Sequence, residues 1–389
     1  MIKYIWLTCM LSSFVYGQSF DTFLQEALQK SPYLKSNALE IQRAEIEGDK
    51  LQRYANPRVD LEYSQFQVNN SAKDSGYRVA LSQPLQLWGV SQDKKSYADA
   101  QKKDAQLNYS LNKAQFIKEL SLAYLNYVAL KKYASLAQEE QKITQQIYTI
   151  SQERYKGGTI ARGVVLQSQV DFELAEMKRQ IQLIKLQECY NTLLNFAGIT
   201  QDVVLDGEYL FERQDTLSIS KNPQLLRYKA QRNLADADAQ LNTNKIRSLD
   251  LNLEYEKEPD QDIYRFGISV PLAVFNTKEQ ERQLAKLQAK QSQILLSYTE
   301  KKLDFQTQSL EKKRELLLKL KTDNLKILEH QKELLSMFED AYKIAKTNFI
   351  ALQNIKNNLI NTQESLIQTN IALQKNAIEL NYLYGAYNE

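Results

Sequence analysis

The chain has 389 residues, 25% charged and 43% hydrophobic, so it can bury a core and is not compositionally disordered. With 50 Lys and Arg against 47 Asp and Glu, the net charge of +3 leaves no electrostatic footprint for nucleic acid. Only 11 Gly and 6 Pro occur, far below the usual ~7% and ~5%, so turns are few and the elements must be long. One histidine, His330, and two cysteines, Cys9 and Cys189, nearly exclude a His/Cys metal site and any triad not built on His330. His330 sits in a polar helical run and reads as an ordinary surface or interface residue. No cofactor is expected, and the chain does not read as an enzyme.

The N-terminus begins with Lys3, an apolar run from Ile5 to Phe14, and Val15-Tyr16-Gly17. This is the pattern of a secretory signal peptide, 1–17, cut after Gly17. Trp6-Leu7-Thr8 before Cys9 makes a poor lipobox, so no lipid anchor is expected. Cleavage removes Cys9 and leaves Cys189 alone, without an intrachain disulfide partner. After Gly17 no stretch of 18 apolar residues occurs, so the exported chain can span a membrane only through β-strands.

Next comes a helix opening at Ser31-Pro32-Tyr33-Leu34, followed by a strand in which Val59, Leu61 and Tyr63 alternate with Arg58, Asp60, Glu62 and Ser64. A polar stretch, 68–76, reads as a loop tip. Beyond it Tyr77, Val79, Leu81, Leu85 and Leu87 alternate with polar residues, and Trp88 closes the strand. No proline falls between 85 and 222, a stretch of strong helix formers. A helix from about Val90 to Tyr155 would be on the order of 100 Å long. A turn is expected at 155–163, where Gly157, Gly158 and Gly163 break the helix.

The pattern then repeats. Pro84 and Pro271, Trp88 and Phe275, Tyr155 and Tyr342, and Gly198 and Gly385 are each 187 residues apart. Asn222-Pro223-Gln224-Leu225 echoes the first helix opening. The chain reads as a tandem duplication, 18–203 and 204–389. In the second unit Leu249, Leu251, Leu253 and Tyr255 form one apolar edge. Beyond a loop at 257–262, Tyr264, Phe266, Ile268, Val270, Leu272 and Val274 form another, alternating with Arg265, Gly267 and Ser269. Period two over about 8–11 residues suits a tilted membrane strand with one apolar face. On this reading Leu81, Leu85, Trp88, Tyr264, Phe266, Ile268, Val270 and Leu272 face lipid. Four strands cannot close a barrel, and an open edge is not tolerated in lipid. Three subunits sharing one barrel would supply twelve strands.

Two leucine series follow in sevens, Leu296 to Leu317 and Leu352 to Leu380, with a stutter between Leu317 and Leu328. These are coiled-coil seams. The second turn, by the repeat offset, falls at 342–348. It lacks glycine, with Ala345 in the place of Gly158, and reads as either a tighter turn or nearly continuous helix.

These elements in this order, above all GYRVALSQPLQLWG (76–89), FGISVPLAVFN (266–276) and RYKGGTIARGVVLQSQVDFELA (154–175), resemble the TolC-like outer-membrane efflux proteins. The resemblance covers the whole mature chain. It implies an α+β membrane protein of Gram-negative bacteria, a homotrimer with a shared twelve-stranded transmembrane β-barrel and a long periplasmic α-barrel. It also implies an adaptor protein on the helical tips and an inner-membrane pump behind it. The tip residues are then Tyr155, Gly157, Gly158, Thr159, Ala161, Arg162, Lys346 and Asn348. The periplasmic gate would involve Tyr342, which resembles a tyrosine that helps hold that gate closed, but the position of its basic partner falls near Thr347, which is not basic. The positions that carry a ring of aspartates in a relative fall on Ala351 and Asn354. The leading function is a passive exit duct for small molecules, drugs or metal cations. A type I secretion duct for proteins and a non-conducting periplasmic tether are the alternatives.

Overall fold

A computed structural model describes residues 18–67, 73–208, 211–214 and 218–388. The leader expected at 1–17 and most of the loop tip at 68–76 lie outside the described residues. In chain order the elements are α1 (Phe20–Lys30), α2 (Pro32–Gln52), β1 (Arg58–Phe66), β2 (Asp74–Gln86), α3 (Val90–Lys156) and α4 (Arg162–Ala197). Then follow α5 (Pro223–Leu241), β3 (Ser248–Lys257), β4 (Asp262–Ser269), α6 (Glu279–Lys343) and α7 (Phe349–Leu383).

The two openings are built alike. Pro32 and Pro223 take the first helical position, where a missing N–H costs nothing. Ser31 caps the Leu34 N–H and Asn222 caps the Gln224 N–H. The closings are alike too. Gly198 and Gly385 both have positive φ, +70° and +77°, beside Lys30, the last residue of α1, and Lys221, just before α5. A Cβ on Gly385 would lie 2.4 Å from the Lys221 carbonyl oxygen, so only glycine fits there.

The strands form one antiparallel sheet in the order β1-β2-β3-β4, with β2 beside β3 joining the halves. The register aligns Val59, Leu81, Leu253 and Phe266 in one row, and Leu61, Val79, Tyr255 and Tyr264 in the next. β4 ends at Ser269, opposite Asp250. Val270 and Leu272, expected within the strand, lie past its end. The alternation continues in sequence, but Pro271 has no N–H for a ladder bond and the pairing with β3 stops. Trp88 lies just past β2, and it and Phe275 are fully exposed.

α3 has 67 residues and α6 has 65, each on the order of 100 Å at 1.5 Å per residue. No helix among the described residues is long and apolar enough to cross a membrane. The heptad seams face inward: Leu303, Leu335 and Tyr342 of α6, and Leu352, Leu359, Leu373 and Leu380 of α7, are buried. About midway along α3, Phe116, Leu120 and Tyr124 join Phe20 and Phe23 of α1 in the largest apolar cluster among the described residues, closed by Leu193 and Ala197 of α4.

Candidate functional site

The sheet separates its two faces by chemistry. On the apolar face Tyr264, Phe266 and Ile268 are bare, Phe266 being 81% exposed, and Leu81 and Leu85 stand beside Leu253 and Leu249. Near the loop end this face carries four tyrosines. Tyr63 is opposite Tyr77, and Tyr77 and Tyr255 have ring centroids 6.0 Å apart. Tyr255 and Tyr264 are 5.1 Å apart. Trp88 and Phe275 stand at the other end, so aromatic residues flank the aliphatic band on both sides, the layout of an interfacial belt. The tyrosine end was visible in the alternation but its meaning required the register.

The polar face holds a chain of ion pairs. Arg78 bonds Glu62 at 2.7 Å and Glu254 at 3.4 Å, and Arg265 bonds Glu254 and Glu256. Ser269 accepts from Asn252 at 2.8 Å on the same face. Such a face is compatible with water and not with hydrocarbon.

At the far end of the helices lie two tips. In the first, the N–H groups of Gly157, Gly158 and Thr159 donate to the carbonyls of Glu153, Tyr155 and Arg154, at 3.0, 2.9 and 2.9 Å. In the second, those of Ile344, Ala345 and Lys346 donate to Asp340, Tyr342 and Ala341, at 3.3, 3.2 and 2.8 Å. The six bonds match one for one at the repeat offset. The second tip is therefore neither tighter nor continuous helix. It is the same left-handed turn, with Gly158 at φ +71° and Ala345 at φ +62°. An L-residue held there stores about 1–2 kcal/mol, which glycine avoids at the first tip.

The tips differ in how the next helix starts. Asn348 accepts the Ala351 N–H at 2.8 Å, whereas Ala161 leaves α4 without a side-chain cap. Tyr155, Gly157, Gly158, Thr159, Ala161, Arg162, Lys346 and Asn348 are all exposed.

Tyr342 is fully buried between the two hairpins. Its hydroxyl pairs with Ser151 at 3.0 Å, and the Arg154 guanidinium lies 4.5 Å over its ring. The cation beside Tyr342 therefore comes from α3. Only in three dimensions is Arg154, one residue before the repeat equivalent of Tyr342, brought to it. Ala351 is half-buried and Asn354 exposed, and neither touches Tyr342 through a hydrogen bond.

Above the tips lies a charged network that sequence reasoning missed. Lys178 of α4 bonds Glu140 of α3 at 2.9 Å and Glu364 of α7 at 3.1 Å. Gln353 of α7 donates to Asp171 of α4, and burial raises the Asp171 carboxyl above the usual carboxylate range. Lys356 of α7 is buried beside them. The sequence carried no clear signal for it: Lys356 lies off the Leu352–Leu380 series, and the positions seven and fourteen residues on are Gln363 and Asn370.

Residues 23–195 match the family model described as outer membrane efflux protein. No curated protein matches the chain. Among solved structures, the chain is similar to CusC, whose structures concern folding and transmembrane channel formation, at 15% identity and a TM-score of 0.77, over 94% of this chain and 91% of that one. It is similar to the outer membrane protein VceC of Vibrio cholerae at 12% identity and 0.77, over 94% and 95%. With the Campylobacter jejuni CmeC outer membrane channel the values are 13% and 0.75, over 94% and 85%. Residues 23–195 thus resemble the outer membrane efflux protein family, and the sheet with its paired helical hairpins is similar in fold to these solved outer-membrane proteins.

Proposed function

We propose that three copies of the chain form a passive exit duct through the outer membrane. The observation that carries this is the four-stranded sheet with one bare apolar face and open edges at β1 and β4. An open edge in lipid leaves backbone groups unpaired. Joining β1 of one copy to β4 of the next in a closed ring of three pairs every edge and gives a twelve-stranded barrel. Its apolar rows face lipid and its ion-paired face lines water. The helices then extend on the order of 100 Å into the periplasm as an α-barrel.

The duct does no chemistry. An inner-membrane transporter supplies the energy, and a periplasmic adaptor docks on the tips at 155–163 and 342–348. Gly157, Gly158 and Ala161 let a helical hairpin approach closely, and Arg162 offers hydrogen bonds to its carbonyls or carboxylates. Tyr342 with Ser151 and Arg154 holds the second hairpin against the first. The cargo is small molecules, drugs or metal cations. The matched caps, closings and tips support an origin by duplication of 18–203 and 204–389.

Native mass spectrometry of the detergent-extracted protein, with conductance in planar bilayers, tests this. A trimer that carries current is expected. A membrane-inserted monomer, or a trimer that carries none, refutes it.

A further inference from the structure

Where the sheet meets the helices lies a cavity of about 550 Å³, a size that holds a small organic molecule. The strand residues lining it, Pro84, Gln86 and Ser248, all alternate with leucines of the apolar face, so it opens on the polar face of the sheet. Its cations come from three places in the chain: Lys50 and Arg53 at the end of α2, Lys94 near the start of α3, and Arg247 just before β3.

The one carboxylate in the lining is Glu47, and it is engaged, accepting from Arg43 at 3.0 Å and from Gln101 at 2.8 Å. Asp238 and Glu281, outside the lining, feel the charge of Arg247 but accept from Asn242 at 3.0 Å and Lys278 at 2.8 Å. Arg247 is held in place: its Nη2 donates to the Leu241 carbonyl at 3.0 Å and to Asn242 at 2.8 Å. Its Nε–H is buried with no hydrogen-bond partner among the described residues, and a buried donor without an acceptor costs free energy. Burial first, and the charge of Arg247 second, push the Lys94 ammonium below the ordinary lysine range. An anion placed between Lys94 and Arg247 relieves both conditions. Beside these cations stand the apolar Leu51, Ala55 and Val90. Elsewhere on the polar face Arg78 and Arg265 are matched by glutamates; here the cations outnumber the acids.

We infer that this cavity is a binding station for amphiphilic organic anions on the water side of the duct wall. The acid group, a carboxylate, sulfonate or phosphate, sits among Arg53, Lys94 and Arg247, and the apolar body lies on Leu51 and Val90. This rests on the duct reading above and narrows its cargo. Three copies set three such stations at one level, where the barrel passes into the helices.

The test uses full-length trimer in phosphatidylcholine nanodiscs and two probes, anilinonaphthalene sulfonate and its uncharged counterpart phenylnaphthylamine. Trp88, the only tryptophan after residue 17, stands two residues before Val90 and reports a bound probe by energy transfer. Saturable transfer to the sulfonate is expected, and none to the uncharged probe. Lys94→Gln and Arg53→Gln should each weaken the sulfonate about tenfold or more, the loss of one charged hydrogen bond. Lys102→Gln, on the same helix but paired with Glu45 outside the cavity, should leave binding unchanged. Equal binding of both probes, or an equal loss in Lys102→Gln, overturns the inference. So does inorganic phosphate that competes as well as the sulfonate, because it has no apolar body. Loss of sulfonate binding when phosphatidylglycerol replaces phosphatidylcholine would show that the cavity opens to lipid, and overturns it as well. Conductance of the same trimer separates the two readings. A trimer that conducts but binds no sulfonate at these residues overturns this inference alone, whereas a trimer that passes no current overturns the duct reading and the station's place in it.

Discussion

Tyr342 offers the sharpest test of how the periplasmic end is held. Its hydroxyl makes a 3.0 Å bond to Ser151, and Ser151 also donates to the Ile147 carbonyl at 2.8 Å. Tyr342→Phe therefore removes one hydrogen bond without orphaning its partner. That places the loss in the ordinary range of about 0.5–1.5 kcal/mol, roughly a twofold to tenfold shift in the equilibrium holding the hairpins together. Tyr342→Ala also removes a fully buried ring, about 3–5 kcal/mol. With it goes the Arg154 contact at 4.5 Å, about 0.5–2 kcal/mol. Open probability of purified trimers in planar bilayers should thus rise modestly for Phe and by orders of magnitude for Ala. A Ser151→Ala, Tyr342→Phe double-mutant cycle should return a coupling near 1 kcal/mol. Intact trimers of all three single variants with wild-type gating, or a coupling of zero, would show that this pair does not hold the tip.

Three further outcomes are expected. Ile268→Arg sets a charge on the apolar face at a cost of roughly 2–4 kcal/mol near the membrane midplane and should impair trimer assembly. Ser269→Arg, on the polar face, should assemble but conduct less, and equal assembly of both would show the register to be wrong. Because Ala345 adopts the turn that Gly158 adopts at the first tip, Ala345→Gly should leave trimer stability unchanged or raise it by up to about 1 kcal/mol, while Gly158→Ala should lower it by about 1–2 kcal/mol. Calorimetry that ranks the two the other way would contradict the shared geometry. Ala161→Trp should preserve trimer yield and conductance yet abolish efflux in cells, and a tip variant that assembles and still supports full efflux would remove the docking assignment.

Much of this architecture is local and could be read from residue order. Prolines open helices and stop strands because they lack an N–H. Period-two alternation marks a two-faced strand, and sevenfold leucines mark a helical seam. These are properties of short segments, so β1 to β4, the long helices and both tips were legible. What the chain could not declare was where a local tendency lacks a partner. The alternation through Val274 promised a longer strand, but a strand ends where its ladder ends, at Ser269 opposite Asp250. Ala345 argued for an altered turn, yet the backbone bonds of the second tip match those of the first, and those bonds hold alanine at positive φ. Arg154 reaches Tyr342 across 188 residues of sequence, and Lys356 meets Glu140 and Asp171 only because α3, α4 and α7 lie side by side. Periodicity tells which face of a segment is buried. The charges that meet there are chosen by helices packing against each other, and that depends on groups distant in the chain.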